Sequence, residues 1–103
     1  MSKASRDKGL LGEREVKHAF EAGGFPVRGL EGLGDHLIVC GFGLTLHVEV
    51  KRAEALRMSD WSKQAEAEAP QGTVPILAYR RNREPWRVSL KLEDLIAILA
   101  HEQ

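Results

Sequence analysis

The 103-residue sequence predicts an α/β domain whose elements run helix, strands, helix, strand, strand, helix. Three observations predict it. Leu44 to Lys51 alternates apolar and polar side chains with the two-residue period of a strand. Two other segments repeat apolar residues at helical spacing, and glycines and prolines fall between the segments. A chain of this length fits one domain spanning 1–103, with no internal repeat, low-complexity segment or linker.

The first helix is expected from about Gly9 to Ala22, stopped by Gly23-Gly24. Its apolar stripe is Gly12, Val16, Ala19 and Phe20; Glu13 borders that stripe, while Glu15 and Glu21 point well away. A short strand is predicted around Phe25 to Arg28, followed by the glycine-rich Gly29-Leu30-Glu31-Gly32-Leu33-Gly34 leading to Asp35. Leu37-Ile38-Val39-Cys40 reads as a buried strand, and Gly41-Phe42-Gly43 as the turn into Leu44 to Lys51. In that strand Leu44, Leu46, Val48 and Val50 take one face; Thr45, His47, Glu49 and Lys51 take the other. A second helix is expected over Ser59 to Ala69, capped by Ser59 and ended by Pro70. Val74 to Tyr79 and Trp86 to Ser89 read as strands. The last helix carries Leu92, Leu95, Ile96 and Leu99 as its stripe, with Ile98 and Ala100 as apolar surface beyond it.

Hydrophobic residues at 43% and charged residues at 29% belong to an ordinary folded domain, not a disordered chain. The single cysteine, Cys40, cannot form an internal disulfide, which fits a reducing compartment. No apolar run is long enough to span a membrane, and the N-terminus lacks the hydrophobic region of a secretory signal. A cytoplasmic location is expected. Net charge is zero, from 15 basic and 15 acidic residues, which by itself argues against a general nucleic-acid binder. The basic residues are nevertheless clustered. Lys3, Arg6 and Lys8 crowd the start, and Arg80, Arg81, Arg83, Arg87 and Lys91 lie within twelve residues opposed only by Glu84.

The chemically informative feature is Glu49-Val50-Lys51 with Asp35 fourteen residues before Glu49. The strand period sets Glu49 and Lys51 on one face, roughly 7 Å apart at their α-carbons. A hairpin through Gly41-Gly43 would bring Asp35 to the end of its strand that pairs near Lys51, and Glu13 could join from the helix. Gathered carboxylates repel and raise one another's pKa, a cost that a divalent cation removes. Oxygen ligands with open water positions suit Mg²⁺, which can polarise a phosphodiester and acidify a water. Lys51 could hold that water and offset charge at phosphorus. A Glu-x-Lys pair alone decorates many exposed sheets, so the reading depends on Asp35 and Glu13. His36 and His47 have no zinc-site spacing and are read as site-lining or structural, and Trp61 and Trp86 as packing residues.

On these residues the sequence resembles the archaeal-type Holliday-junction resolvases of the PD-(D/E)xK nuclease superfamily. Lys8-Gly9 with Glu13-Arg14-Glu15 resembles the family's opening helix, and Gly24-Phe25 with Val27-Arg28 its first strand. Asp35 and Glu49-Val50-Lys51 resemble its catalytic signature; Gly72, Val74-Pro75-Ile76-Leu77-Ala78 and Trp86-Arg87 resemble its later strands. Departures are Gly34 in place of proline, His36 in place of an apolar residue, no serine in the loop before Asp35, and a shorter chain.

The resemblance implies a restriction-endonuclease-like fold, a mixed β-sheet of about five strands flanked by helices. It implies a homodimer that cuts four-way DNA junctions with Mg²⁺, for which Mn²⁺ could substitute. Glu13, Asp35 and Glu49 would be metal ligands with the Val50 carbonyl, and Lys51 would be catalytic. Arg14 and Arg28 would contact phosphates, and Lys8, Arg52, Arg80, Arg81 and Arg83 complete the expected DNA-contacting set. The apolar last helix is the expected part of the dimer interface. Two other readings stay open: a small nuclease of the same superfamily acting on linear, flapped or branched DNA, and a non-catalytic DNA-binding or protein-interaction module.

Overall fold

The computed structural model describes residues 3–29, 36–41 and 43–101, and of residues 3–8 and 29 the backbone alone. The order is α1 (Lys3–Ala22), β1 (Val27–Gly29), β2 (His36–Gly41), β3 (Leu44–Arg52), α2 (Met58–Glu68), β4 (Val74–Arg80), β5 (Arg87–Ser89) and α3 (Leu92–His101). The strands form one sheet in the order β1-β2-β3-β4-β5. All neighbours are antiparallel except β3 and β4, which run parallel because α2 carries the chain back between them. This is the expected mixed sheet of five strands flanked by helices.

β3 is the centre of the sheet, and its alternation decides what each face holds. His36 pairs with Glu49, Leu37 with Val48, and Val39 with Leu46; on the other side Val48 pairs with Ile76 and Val50 with Ala78. Val48 and Val50 therefore share a face with Leu37, Val39, Ile76 and Ala78, and Val16 of α1 closes that core. The fit is close at Gly12, where an added Cβ would lie 3.3 Å from the Trp86 ring and 3.5 Å from Val50 Cγ1 and Arg52 Cβ. α2 covers the opposite face. Its buried Ala65 lines a small cavity with Ser62, Glu66, Pro75 and Leu77, and Pro75 and Leu77 are the β4 partners of His47 and Glu49.

The end of α1 follows the glycine signal. Phe25 N–H donates to the Phe20 carbonyl at 3.0 Å and Gly24 N–H to that of Glu21 at 3.0 Å, while Gly24 adopts φ +92°. This paired arrangement needs a left-handed residue, which glycine supplies without strain. Pro70 likewise ends α2, since Ala69 before it turns to extended backbone at φ −70°, ψ 124°.

Several boundaries and orientations differ from expectation. α1 begins at Lys3, six residues before Gly9; β1 begins at Val27 and β5 at Arg87. Ser59 does not cap α2: the helix starts at Met58, and Arg57 at the cap position makes no side-chain cap bond. The last helix turns the other way. Leu92, Leu95, Ile96 and Leu99 are 72%, 40%, 56% and 54% exposed, whereas Ile98 packs against the core. Periodicity located an apolar stripe but could not say which neighbour would cover it. No helix among the described residues is long and apolar enough to cross a membrane.

Candidate active site and metal-binding cluster

Glu49 is wholly buried, at 0% exposure, in the middle of the central strand. Taking one carboxylate out of water costs on the order of several kcal/mol after relaxation. Fold stability alone gives no reason to hold an acid there. Lys51, one step along the same face, sets its Nζ 3.5 Å from Glu49 Oε1. Gln64 of α2 donates from Nε2 to the same oxygen at 3.2 Å, and also to Glu68 Oε1 at 3.2 Å. One carboxylate oxygen thus meets a cation from its own strand and an amide from the covering helix.

His36 stands opposite Glu49 in the ladder, and Glu68 reaches in from α2. Donor atoms of His36, Glu49 and Glu68 all lie within 4.8 Å of one another, so β2, β3 and α2 together offer a nitrogen and two carboxylates. His47 stacks on His36 with ring centroids 4.8 Å apart and planes 26° from parallel. It is buried, its Nδ1 has no hydrogen-bond partner among the described residues, and its pKa is lowered from 6.5. Desolvation is the main cause, and His36 adds to it against the opposing pull of Glu68.

Glu49 and Lys51 are side by side, and the carbonyl-bearing Val50 lies between them with its side chain on the α1 face. Glu13 is half-buried on α1, the helix that packs on the face opposite to Glu49. It is outside the His36–Glu49–Glu68 cluster found among the described residues. Asp35 and the side chain of Lys8 lie outside the described residues; the described pairing ends at His36 and Glu49. Arg14, Arg28, Arg81 and Arg83 are exposed, Arg81 pairing with Glu84 at 3.7 Å.

Arg52 and Arg80 are different, with side chains only 18% exposed. Both converge on Glu15 of α1: Arg52 Nη1 at 3.1 Å from Oε2, and Arg80 Nε at 3.4 Å from Oε1. Trp86 Nε1 donates to the same Oε1 at 3.0 Å, and the Arg80 guanidinium sits 5.6 Å from the centre of the indole ring. Glu15 therefore does not point into solvent as its helical angle suggested. Its long side chain reaches cations and an indole from β3, β4 and the segment before β5.

Sequence reasoning also passed over Gln64 and Glu68. A signal existed, since Trp61, Gln64, Ala65 and Glu68 fall at i, i+3, i+4 and i+7 on one face of α2.

No family model matches the sequence, and no curated protein matches it. Among solved structures it is similar to Hjc, a Holliday junction resolvase of the archaeal hyperthermophile Archaeoglobus fulgidus. The TM-score is 0.64 at 24% identity, over 81% of this chain and 72% of that one. This chain has that resolvase's fold. At this identity the likeness establishes the architecture alone, and it agrees with the restriction-endonuclease-like sheet expected from the sequence.

Proposed function

We propose that this protein is a Mg²⁺-dependent, structure-specific endodeoxyribonuclease that resolves four-way DNA junctions by paired nicks, acting as a homodimer. The observation that carries the proposal is the Glu49–Lys51 pair, 3.5 Å apart on the buried central strand of a resolvase-like sheet. A non-catalytic module gains nothing from burying a carboxylate beside a DNA-facing site, because negative charge repels phosphate.

The residues fit a hard divalent ion. A buried carboxylate, held at one oxygen by an ammonium and an amide, is an anionic donor already desolvated. In this reading Asp35 and Glu49 with the Val50 carbonyl would hold Mg²⁺, or Mn²⁺ in its place; Glu13, on the helix over the opposite face, would have to reach the ion from that side. Such an ion supplies Lewis acidity toward the phosphodiester and acidifies a water. Lys51 would orient a water and offer positive charge where the transition state gathers negative charge. Gln64 fixes the Glu49 carboxylate in one orientation.

Zero net charge gives little long-range attraction to a uniform duplex, whose non-specific affinity comes mainly from released counterions. Affinity must come from local cations meeting several backbones together, which a junction offers and a single duplex does not. Exposed Arg14, Arg28, Arg81 and Arg83 make the phosphate contacts in this reading, with Lys8. Arg52 and Arg80 join them only by exchanging Glu15 for phosphate. Two equivalent active sites for two nicks follow most simply from a two-fold dimer. Direct competition between a four-way junction and a linear duplex of equal length tests the substrate. Preferred cutting of the junction, at symmetric positions on opposing strands, supports the proposal; equal cutting moves the substrate to linear or flapped DNA.

A further inference from the structure

Three side chains from three separate elements meet on the α2 face of the sheet, and their chemistry differs from the all-oxygen set suited to Mg²⁺. We propose that His36, Glu49 and Glu68 form a transition-metal site that takes a borderline divalent cation such as Zn²⁺ or Co²⁺ in preference to Mg²⁺. An imidazole nitrogen suits such ions, whereas Mg²⁺ prefers oxygen and keeps most of its waters.

The geometry is close to what binding needs. Bonds of about 2.0–2.2 Å to nitrogen and carboxylate oxygen set tetrahedral ligand atoms roughly 3.4 Å apart. The three donors lie within 4.8 Å, so side-chain movements of up to about 1.4 Å close the set. Glu68 can supply them, being an exposed side chain at the end of α2. Gln64 already holds Glu68 and Glu49 to a single amide nitrogen at 3.2 Å each, keeping two like charges together. A second, independent observation flanks the cluster. His47, 5% exposed and without a hydrogen-bond partner at Nδ1 among the described residues, stacks on the His36 ring. The stack packs one face of the His36 ring against a buried side chain and so restricts its rotation.

The site goes beyond the nuclease reading, because His36 and Glu68 have no part in the Mg²⁺ position. It shares Glu49 with that position, so an ion in one site competes for a ligand of the other.

The test needs neither DNA nor activity. The full chain is titrated with Zn²⁺ by calorimetry and with Co²⁺ by visible absorption, circular dichroism reporting the fold of each variant. One ion per chain is expected, undisplaced by a hundredfold excess of Mg²⁺. His36→Ala and Glu68→Gln should each weaken Zn²⁺ binding at least tenfold. The combined His18→Ala, His101→Ala and Cys40→Ser variant, which removes the other nitrogen and sulfur donors of the described surface, should bind like the parent. Glu68→Gln alters one exposed helix position and keeps the test decisive if His36→Ala misfolds. Unchanged affinity in Glu68→Gln, displacement by equimolar Mg²⁺, or loss of binding in the control variant would each overturn the proposal. Failure to cut DNA would leave it intact.

Discussion

Glu15 accepts the indole N–H of Trp86 at 3.0 Å across 71 residues of sequence. With Arg52 and Arg80 on the same carboxylate, this contact fastens α1 to β3, β4 and the approach to β5. Glu15→Ala removes the carboxylate shared by the two guanidiniums and the indole, leaving Arg52 with Asn82 Oδ1 and Arg80 with the Glu84 carbonyl. We expect a loss of roughly 1–3 kcal/mol in urea unfolding, in the range for removing a partner from part-buried charged hydrogen bonds. Glu15→Gln retains an acceptor and should lose less. A variant as stable as the parent would mean that solvent replaces the carboxylate at no cost.

Gln64 gives a more local prediction. Its amide donates to the Glu49 carboxylate from α2, so Gln64→Ala removes one of the contacts that orient that carboxylate and leaves the Lys51 contact in place. Loss of about 1.4 kcal/mol of positioning corresponds to roughly tenfold in rate. Single-turnover cleavage should fall by that order while junction binding stays within twofold. Equal losses in binding and rate would instead indicate a general disturbance of α2.

How much of this was legible in the sequence follows from the range over which each interaction acts. The alternation of Leu44 to Lys51 gave both faces of β3, because strand geometry is local and its period fixed. Glu49 and Lys51 were therefore found in their true relation. Glu15 departs from its helical angle because that angle describes where a side chain starts, and its partners come from distant segments. The outer face of α3 is not local information either: Leu92 and Ile98 are equally apolar, and only the tertiary fold decides that Ile98 goes inward. His36 was recognised as a departure, but its meeting with Glu68 depends on how α2 packs over the sheet.

The reversed α3 sharpens the dimer prediction. Leu92, Leu95, Ile96 and Leu99, with exposed Ala100, replace Ile98 as the apolar surface to be covered. An exposed cluster of this kind marks an interaction surface more often than a bare one. The parent should scatter light as a dimer at micromolar concentration, and Leu95→Glu with Ile96→Glu should give a folded monomer. A monomeric parent that still cuts junctions would remove α3 from the interface.

The arginines separate by exposure. Arg81→Glu with Arg83→Glu reverses two exposed charges near the β4–β5 turn and should weaken junction binding about tenfold or more at low salt. The difference should shrink as salt rises, since the contacts are to phosphate. Arg14→Ala and Arg28→Ala should slow cleavage of every sequence alike. Arg52→Ala should instead lower stability, through the loss of Glu15. Normal stability with weak junction binding in Arg52→Ala would mean that this guanidinium leaves Glu15 for DNA.

Single-turnover cleavage of a synthetic four-way junction reads whether the buried Glu49 and its Lys51 neighbour cut DNA with a divalent ion. With Mg²⁺ the parent should give symmetric paired nicks, and with chelator none. Glu49→Gln and Lys51→Ala should each lower the rate by at least a hundredfold while the fold persists, because they remove transition-state charge and little packing. Full-rate cutting by Lys51→Ala, or by the parent in chelator, would rule out this ion-dependent chemistry at Glu49 and Lys51.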